Sequence, residues 1–230
     1  MSAARQSSPR LNRPNATAIW YALTPSEGSA SLTAYASSDF QDGTVVDARD
    51  LERVNLSEVP TLWRAVFAPE SRQLLNVTAA VGPAMWYVQV PEHDATPPAM
   101  SLVAFDTTHF RPGTVVGNAV FEPLAIRSDQ QVGAIRWWPG TGQIHQVYVQ
   151  PHRRREGIGS ALACAAAAHL VASGSPHRLW AGGDRTELGE ALAQVSPHQH
   201  RVRARQRVLP AMTPDADTTG IPDRNLYPRS

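Results

Sequence analysis

The stretch that decides the fold is VYVQPHRRREGIGSALACAAAAHLVASG, residues 147–174. It opens with the apolar alternation of a strand, passes through three arginines and two spaced glycines, and continues as an alanine-rich helix that Gly174 is well placed to end. A strand that turns through glycines into a helix leaves the amides of the first helical turn without partners inside the helix. Such amides, at the positive end of the helix dipole, bind phosphate groups. The stretch therefore predicts an anion site.

The composition of the turn favours a diphosphate as the ligand. Gly157 and Gly159 carry no Cβ atom that would hold a pyrophosphate away from the backbone, and the arginines at 153–155 add positive charge. Two common nucleotide motifs are excluded. The chain has no lysine, which a P-loop requires, and Leu162 stands where the Rossmann motif has its third glycine.

The segments around this stretch have recognisable patterns. Downstream of residue 116, NAVFEPLAI, QVGAIRWW and QIHQVYV are predicted to be three consecutive antiparallel strands, joined by the turns RSDQ and PGTG. After the helix, HRLWAGG predicts a short strand, RTELGEALAQV a short amphipathic helix, and HRVRARQRVLP a final strand with four arginines on one face. This basic stripe raises nucleic acid as an alternative partner, although it could equally be a solvated sheet edge.

The upstream half is predicted to be rich in short strands. TAIWYAL, SASLTAYA, GTVVDA, MWYVQV and SLVAF have the composition of strands bounded by turn residues. A helix is predicted over SEVPTLWRAVFAPESRQLLNV, with Ser57 as its cap. No internal repeat is evident. The polar ends, residues 1–15 and 211–230, are expected to be extended arms, and the chain between them is divided into a β-rich region, 16–115, and a core, 116–210.

The turn resembles the acetyl-CoA-binding motif of the GNAT superfamily of N-acetyltransferases. That motif has Gln or Arg, two variable residues, Gly, one variable residue, then Gly or Ala, after a strand ending in V-x-P; here VQP precedes Arg154 to Gly159. The hairpin before the motif and the helix, strand and helix after it occur in the family's order, over about residues 116–195. The resemblance implies an α/β (α+β) fold, with a mixed, mostly antiparallel sheet flanked by helices and a β-rich N-terminal extension.

The resemblance also implies the cofactor and its binding residues. The cofactor is acetyl-CoA, with its thioester between the splayed ends of IHQVYV and HRLWAGG. The backbone of Val147 and Val149 would pair with the pantetheine arm. Arg154 belongs to the motif, and the pyrophosphate would lie on the amides of five residues: Arg155, Gly157, Ile158, Gly159 and Ser160.

Direct transfer to an amine needs a base, a donor to the developing oxyanion and a proton source for the leaving thiolate. His145, on the strand where the family often has its base, is the candidate base, although a solvent-exposed or hydrogen-bonded histidine is an equal alternative. The family's usual acid, a tyrosine on the helix after the fifth strand, has no counterpart in TELGEALAQVSPHQH. Asp184 is a weak second candidate that could instead cap the next helix. The acceptor is expected to be a small-molecule or peptide amine.

Composition limits the remaining possibilities. The single cysteine, Cys164, excludes an internal disulfide framework and favours a reducing, cytoplasmic location, and no apolar run is long enough to span a membrane. A net charge of +1 makes nucleic acid an improbable partner, and the eight histidines lack the spacing of metal ligands, so no metal is expected. The alternative function is a GNAT-like fold without catalysis, used for binding or structural assembly. Oligomer formation is possible.

Overall fold

The structure is a computed structural model that describes residues 18–51, 54–196 and 199–209. The two arms predicted from the sequence therefore lie outside the described residues. The described chain forms two large sheets, a small two-stranded sheet and three α-helices.

Five strands form the first sheet, in the order β3-β1-β2-β4-β5. They are β1 (Ala18–Ser26), β2 (Ser29–Ser37), β3 (Val45–Asp47), β4 (Thr61–Ala68) and β5 (Gln73–Ala79). Only the pairing of β1 with β3 is parallel. The strand predicted at SASLTAYA is confirmed as β2, in which Ala30, Leu32 and Ala34 are buried on one face.

Six strands form the second sheet, in the order β11-β10-β9-β7-β6-β8. They are β6 (Trp86–Glu92), β7 (Ala99–Phe105), β8 (Val115–Gly117), β9 (Gln131–Trp138), β10 (Gln143–Val149) and β11 (Trp180–Ala181). The helices are α1 (Asn118–Phe121), α2 (Ile158–Ala172) and α3 (Glu187–Val195), and β12 (Asp184–Arg185) pairs with β13 (Arg207–Val208). Both β8 and β11 run parallel to their neighbours, so the sheet is mixed but mostly antiparallel.

Helix α2 lies between the two sheets. It packs against β4 and β5 on one side and against β9 and β10 on the other, and fourteen of its fifteen residues are buried. A helix enclosed in this way has no solvent face, which explains why its sequence shows no polar stripe. The alanines allow both sheets to approach the helix axis closely, as expected from the sequence for packing of the helix on a sheet.

The two sheets are built from the same unit, so the expectation of no internal repeat was wrong. In the first unit, β1 to β5, Ala65 pairs with Val77; in the second unit, β6 to β10, Ile135 pairs with Val147, each 70 positions later. The bulge between Ala34 and Tyr35 in β2 also recurs 70 positions later in β7. The repeat is also visible in the sequence, because SLTAYASSDFQDGTVV, residues 31–46, and SLVAFDTTHFRPGTVV, residues 101–116, are identical at eight of sixteen positions.

The outer face of each unit carries the same aromatic cluster. In the first unit Trp20 stacks on Tyr35 at 4.8 Å and contacts Phe40 at 4.6 Å. In the second, Trp86 stacks on Phe105 at 4.9 Å and contacts Phe110 at 4.9 Å. Such pairs contribute about 0.5–1.5 kcal/mol beyond their burial. The cluster closes the outer face of each unit at the same place.

The units meet at two seams, which differ in construction. At the first seam, the edge of β5 bonds to the second unit through backbone groups: Val77 N–H donates to the Gly113 carbonyl at 2.8 Å, beside a bridge between Asn76 and Thr114. At the second seam, side chains reach the turn at Asp42 and Gly43 of the first unit. They come from residues 178, 200 and 201.

The predicted helix at 57–77 was wrong, because this segment forms the hairpin of β4 and β5. Its apolar residues fit a helical spacing, but Trp63 and Ala65 alternate with exposed Arg64, and the edge of β2 supplies backbone partners. The predicted strand NAVFEPLAI was also wrong. It forms the one-turn helix α1 and a following turn, whose Phe121, Leu124 and Ile126 pack on the aromatic cluster.

The predicted basic stripe near the C-terminus was wrong as well. Only Arg207 of the four arginines lies in a strand, and Arg201 lies in a short 3₁₀ turn. Each of the four meets a different partner: Arg201 meets Asp42, Arg203 stacks on Trp180, Arg205 meets Glu187, and Arg207 meets Asp184. Because their charges are dispersed and paired, this segment does not present a basic face. Within the described residues, every helix is too short or too polar to cross a bilayer.

Candidate functional site

Among the residues that the structure describes, the edge of β10 has no neighbouring strand along its second half. Strand β11 pairs with β10 only at Gln143 with Trp180 and Ile144 with Ala181. Beyond Ala181 the chain leaves β10, and the Ala181 carbonyl accepts a hydrogen bond from Arg203 N–H at 3.0 Å. A gap therefore opens between β10 and β11 from Ile144 onward.

The backbone groups of Val147 and Val149 point into this gap. Gln150 N–H donates to the Val132 carbonyl of β9, and along an antiparallel strand the bonding direction alternates from residue to residue. Val147 and Val149 therefore direct their N–H and C=O groups away from β9. The first unit shows the same direction, since Val77, the equivalent of Val147, donates outward to Gly113.

His145 lies at the mouth of the gap. The register of β10 shifts between Ile144 and Gln146, so His145 is the extra residue of a bulge and is exposed. Its ring lies against Trp138, with the ring centroids 4.9 Å apart. His145 follows Ile144, the last residue of β10 that pairs with β11, and this position is compatible with the predicted role of base but also with plain stacking.

The turn into α2 has the backbone expected of an anion site. Arg155 and Gly157 have positive φ angles of 70° and 84°, and Gly157 begins the helix without a side-chain cap. The amides of Ile158, Gly159 and Ser160 form the first turn, whose N–H groups lack partners within a helix. This arrangement can bind a phosphate group by backbone donors alone.

The two glycines of the turn also serve packing within the chain. A Cβ on Gly157 would lie 2.9 Å from the backbone nitrogen of Gly82, and one on Gly159 would lie 3.2 Å from Cδ1 of Leu192. Gly82 belongs to the link between the units, and Leu192 belongs to α3. The sequence signal for a ligand site therefore coincides with two close internal contacts that only the fold reveals.

The arginines of the turn differ in their surroundings. Arg153 forms ion pairs with Asp106 and Glu156, and hydrogen bonds to these carboxylates raise its pKa. Arg154 is half-buried and Arg155 is exposed. The positive charge that the sequence placed on three residues is thus partly neutralised at Arg153.

Asp184 lies apart from β10, on β12. Its carboxylate accepts a hydrogen bond from Arg207 at 2.9 Å, and it is exposed. It does not cap α3, because Thr186 does so by accepting from Gly189 N–H at 3.0 Å. The alternative that Asp184 caps the following helix was wrong, and its candidacy as a catalytic group stays a prediction.

Sequence reasoning missed a polar depression on the outer face of the second sheet. Its cavity volume is about 400 Å³, and Arg136 within it pairs with Glu92 at 2.7 Å, while Ser101 donates to the same carboxylate at 2.6 Å. Gln146 and Tyr148 of β10 line it on the face opposite to α2. They alternate along the strand with Val147 and Val149. The alternation of side chains along a strand could have predicted that Gln146 and Tyr148 share one face of the sheet. The lining residues are Ser101, Gln131, Ala134, Arg136, Gln146 and Tyr148.

Cys164 is a core residue of α2. It is 1% exposed, and burial raises the pKa of its thiol to about 12. A thiol with that pKa is almost wholly protonated at neutral pH and therefore a poor nucleophile. Among the described residues no group of three or more His, Cys, Asp or Glu side chains could hold a metal ion.

The model of the acetyltransferase (GNAT) family matches residues 78–190. The match begins in β5, includes the whole second unit and the turn into α2, and ends in α3. Residues 78–190 belong to the GNAT acetyltransferase family. The mixed, mostly antiparallel sheet of the second unit lies within the matched residues and is consistent with the GNAT fold. No curated protein and no solved structure matches the chain.

Proposed function

We propose that this GNAT protein is an acetyl-CoA-dependent N-acetyltransferase. The observation that carries the proposal is the open edge of β10, which is followed, after the turn at residues 150–157, by the uncapped start of α2. A strand edge with free donors and acceptors, followed by a phosphate-binding turn, fits a ligand that has a peptide-like arm and a diphosphate. Acetyl-CoA is such a ligand, and it supplies an activated acetyl group.

The proposal assigns a role to each predicted residue. Val147 and Val149 hold the pantetheine arm as an added strand, and the first-turn amides from Gly157 to Ser160, with that of Arg155, hold the pyrophosphate. The side chain of Arg154 adds charge beside it. His145 accepts the proton of the attacking amine at the mouth of the gap.

The acceptor is proposed to be a small-molecule or peptide amine. Deprotonating a lysine-type amine with a pKa near 10.4 costs about 4.6 kcal/mol at pH 7, against about 1 kcal/mol for an α-amine. A single exposed histidine therefore favours the α-amine. The depression beside Tyr148, on the same strand as the gap, is the proposed approach for this acceptor, and the reducing, cytoplasmic location remains part of the proposal.

Calorimetric titration with acetyl-CoA tests cofactor binding. Val147→Pro is the sharpest variant, because it removes an N–H that points into the gap and leaves the ladder with β9 intact. We expect micromolar-range binding by the wild type and at least tenfold weaker binding by Val147→Pro. Thermal unfolding of both proteins serves as the folding control, and equal affinities would rule out this binding mode.

Transfer is tested separately, by release of free thiol with a panel of α-amines and ε-amines. We expect His145→Gln to bind acetyl-CoA normally and to lose about 10²-fold or more in kcat, with the remaining rate rising at high pH. Unchanged kcat would remove His145 from the mechanism.

A second candidate function is a GNAT fold without catalysis, used for binding or assembly. Two observations favour it: Gly82 and Leu192 already contact the two glycines of the turn, and α3 carries no tyrosine that could act as the acid. Failure of the wild type to bind acetyl-CoA at millimolar concentration would support this candidate over the enzyme.

A further inference from the structure

The edge of β5 in the first unit can be compared with the edge of β10 in the second, along which the cofactor is proposed to bind. Val77 and Val147 occupy equivalent positions on β5 and β10, and both direct their N–H away from the neighbouring strand. The Val77 amide bonds to Gly113 of the second unit at 2.8 Å. The Val147 amide lacks such a backbone partner among the described residues, so one edge is closed and its counterpart is open.

The residue equivalent to Gly113 in the first unit is Gly43, and its carbonyl is bound differently. It accepts a hydrogen bond from Nη2 of Arg178 at 2.7 Å. The adjacent Asp42 accepts hydrogen bonds from Nη2 and Nε of Arg201, at 2.8 and 3.0 Å, and contacts Nε2 of His200 at 2.7 Å. At this seam the turn holds side chains instead of a strand edge.

These side chains belong to the two segments that form the far wall of the gap. Arg178 lies two residues before β11. Arg201 lies in the C-terminal segment, residues 199–208, which bonds to the chain beyond β11: Arg203 N–H donates to the Ala181 carbonyl, and Gln206 N–H donates to the Gly183 carbonyl at 2.8 Å. Both segments are therefore fixed to the same turn of the first unit.

We propose that the turn at Asp42 and Gly43 is a positioning element for the cofactor groove, holding β11 and the C-terminal segment apart from the edge of β10. The first unit then shapes the cofactor groove of the proposed GNAT reaction without contacting the cofactor. As far as it concerns acetyl-CoA, the inference rests on the proposed function.

The contacts at this turn are closely fitted. Gly43 has a φ of 83°, and a Cβ there would lie 2.8 Å from Nε of Arg178. The side chain of Arg201 is only 7% exposed and also donates to the hydroxyl of Tyr21 at 3.3 Å. Burial raises the pKa of the Asp42 carboxyl, but hydrogen bonds from His200 and Arg201 outweigh this and hold the pKa well below its usual range. The contact between Asp42 and Arg201 is therefore charged and well packed at neutral pH.

The test compares Asp42→Asn with Asn76→Ala, which loosens the first seam and leaves the second intact. The first readout is amide hydrogen exchange at Arg203 and Gln206, which needs no cofactor. We expect Asp42→Asn to raise exchange at both amides at least tenfold over the wild type, and Asn76→Ala to leave them within twofold.

The second readout is the dissociation constant of acetyl-CoA. We expect it to rise at least tenfold in Asp42→Asn and in Arg178→Met, and less than twofold in Asn76→Ala at matched stability. Adding Arg201→Met to Asp42→Asn should cause a smaller further rise than Arg201→Met causes in the wild type, since both changes break the same ion pair.

Two results would overturn the inference: unchanged exchange at Arg203 and Gln206 in Asp42→Asn, or raised exchange with an unchanged dissociation constant. If the wild type itself does not bind acetyl-CoA, the proposed function fails. In that case the exchange readout still decides whether the turn holds the C-terminal segment in place.

Discussion

Gly157 and Gly159 are the residues at which ligand binding and internal packing meet. Their contacts differ in kind: backbone of Gly82 approaches Gly157, whereas only the terminal methyls of Leu192 approach Gly159. Backbone cannot yield easily, and Gly157 also has a positive φ that costs other residues about 1–2 kcal/mol. Substitution of Gly157 therefore tests packing as much as binding, and Gly159 is the more informative position.

At Gly159 we expect a stability change that depends on Leu192. Alanine is favoured over glycine in a helix by about 0.5–1 kcal/mol, so Gly159→Ala should stabilise the protein by that amount in a Leu192→Ala background. With Leu192 present, the contact should remove most of this gain. A double-mutant cycle by urea denaturation measures the difference, and additive effects would show that the contact is absent.

His169 is the residue whose titration should govern stability in mild acid. It packs edge-on against Trp137 at 5.3 Å, and burial lowers its pKa from 6.5 to about 4. Between these values the unfolded chain binds a proton that the folded chain does not, so stability is lost as the pH falls from about 6.5 to 4, by about 3 kcal/mol at most. His169→Leu should flatten this part of the profile. Urea denaturation at half-unit pH steps is the measurement, and a profile parallel to that of the wild type would contradict the assignment.

Helix α2 was predictable because its signals are local: a glycine-rich start, a run of good helix formers and a glycine at its end. The strands β9 and β10 and the helix α3 were predictable for the same reason. The hairpin of β4 and β5 was not, because its apolar residues fit either period and the pairing with β2 decided between them. The path of the chain from β11 to β13 was not predictable either, because it involves distant backbone bonds, such as that from Arg203 N–H to the Ala181 carbonyl, which no local pattern contains.

Enclosure of α2 between two sheets gives a prediction for its alanines. Ala165 and Ala166 are both 0% exposed and have no free side on which a larger group could be placed. Ala166→Leu should destabilise the protein by about 1–3 kcal/mol or more, through overpacking, despite the high helix propensity of leucine. Urea denaturation measures this cost. Ala191→Leu, at an exposed position of α3, is the control and should cost less than about 0.5 kcal/mol.

At the scale of the whole molecule, the shared helix makes the two units interdependent. One hydrophobic core contains residues of the first sheet, α2 and the second sheet, including Trp63, Leu162 and Ile135. A fragment that ends at Gly82 would expose the face that covers α2. We expect residues 1–82 and 83–230, produced separately, to lack the near-ultraviolet dichroism and dispersed amide spectrum of the intact chain, and the intact chain to unfold in a single transition. An independently folded second unit would contradict this.

The duplication also has a genetic consequence. When one chain contains two copies of a unit, comparing equivalent positions separates those that the fold constrains from those that it leaves free to differ. Trp20 and Trp86, or Phe40 and Phe110, kept their character in both copies because each closes an aromatic cluster. At the bulge of the outer strand, by contrast, one copy has Leu75 and the other has His145. The bulge therefore forms without a histidine in the first unit. The fold alone does not explain why the second unit has a histidine at the same position.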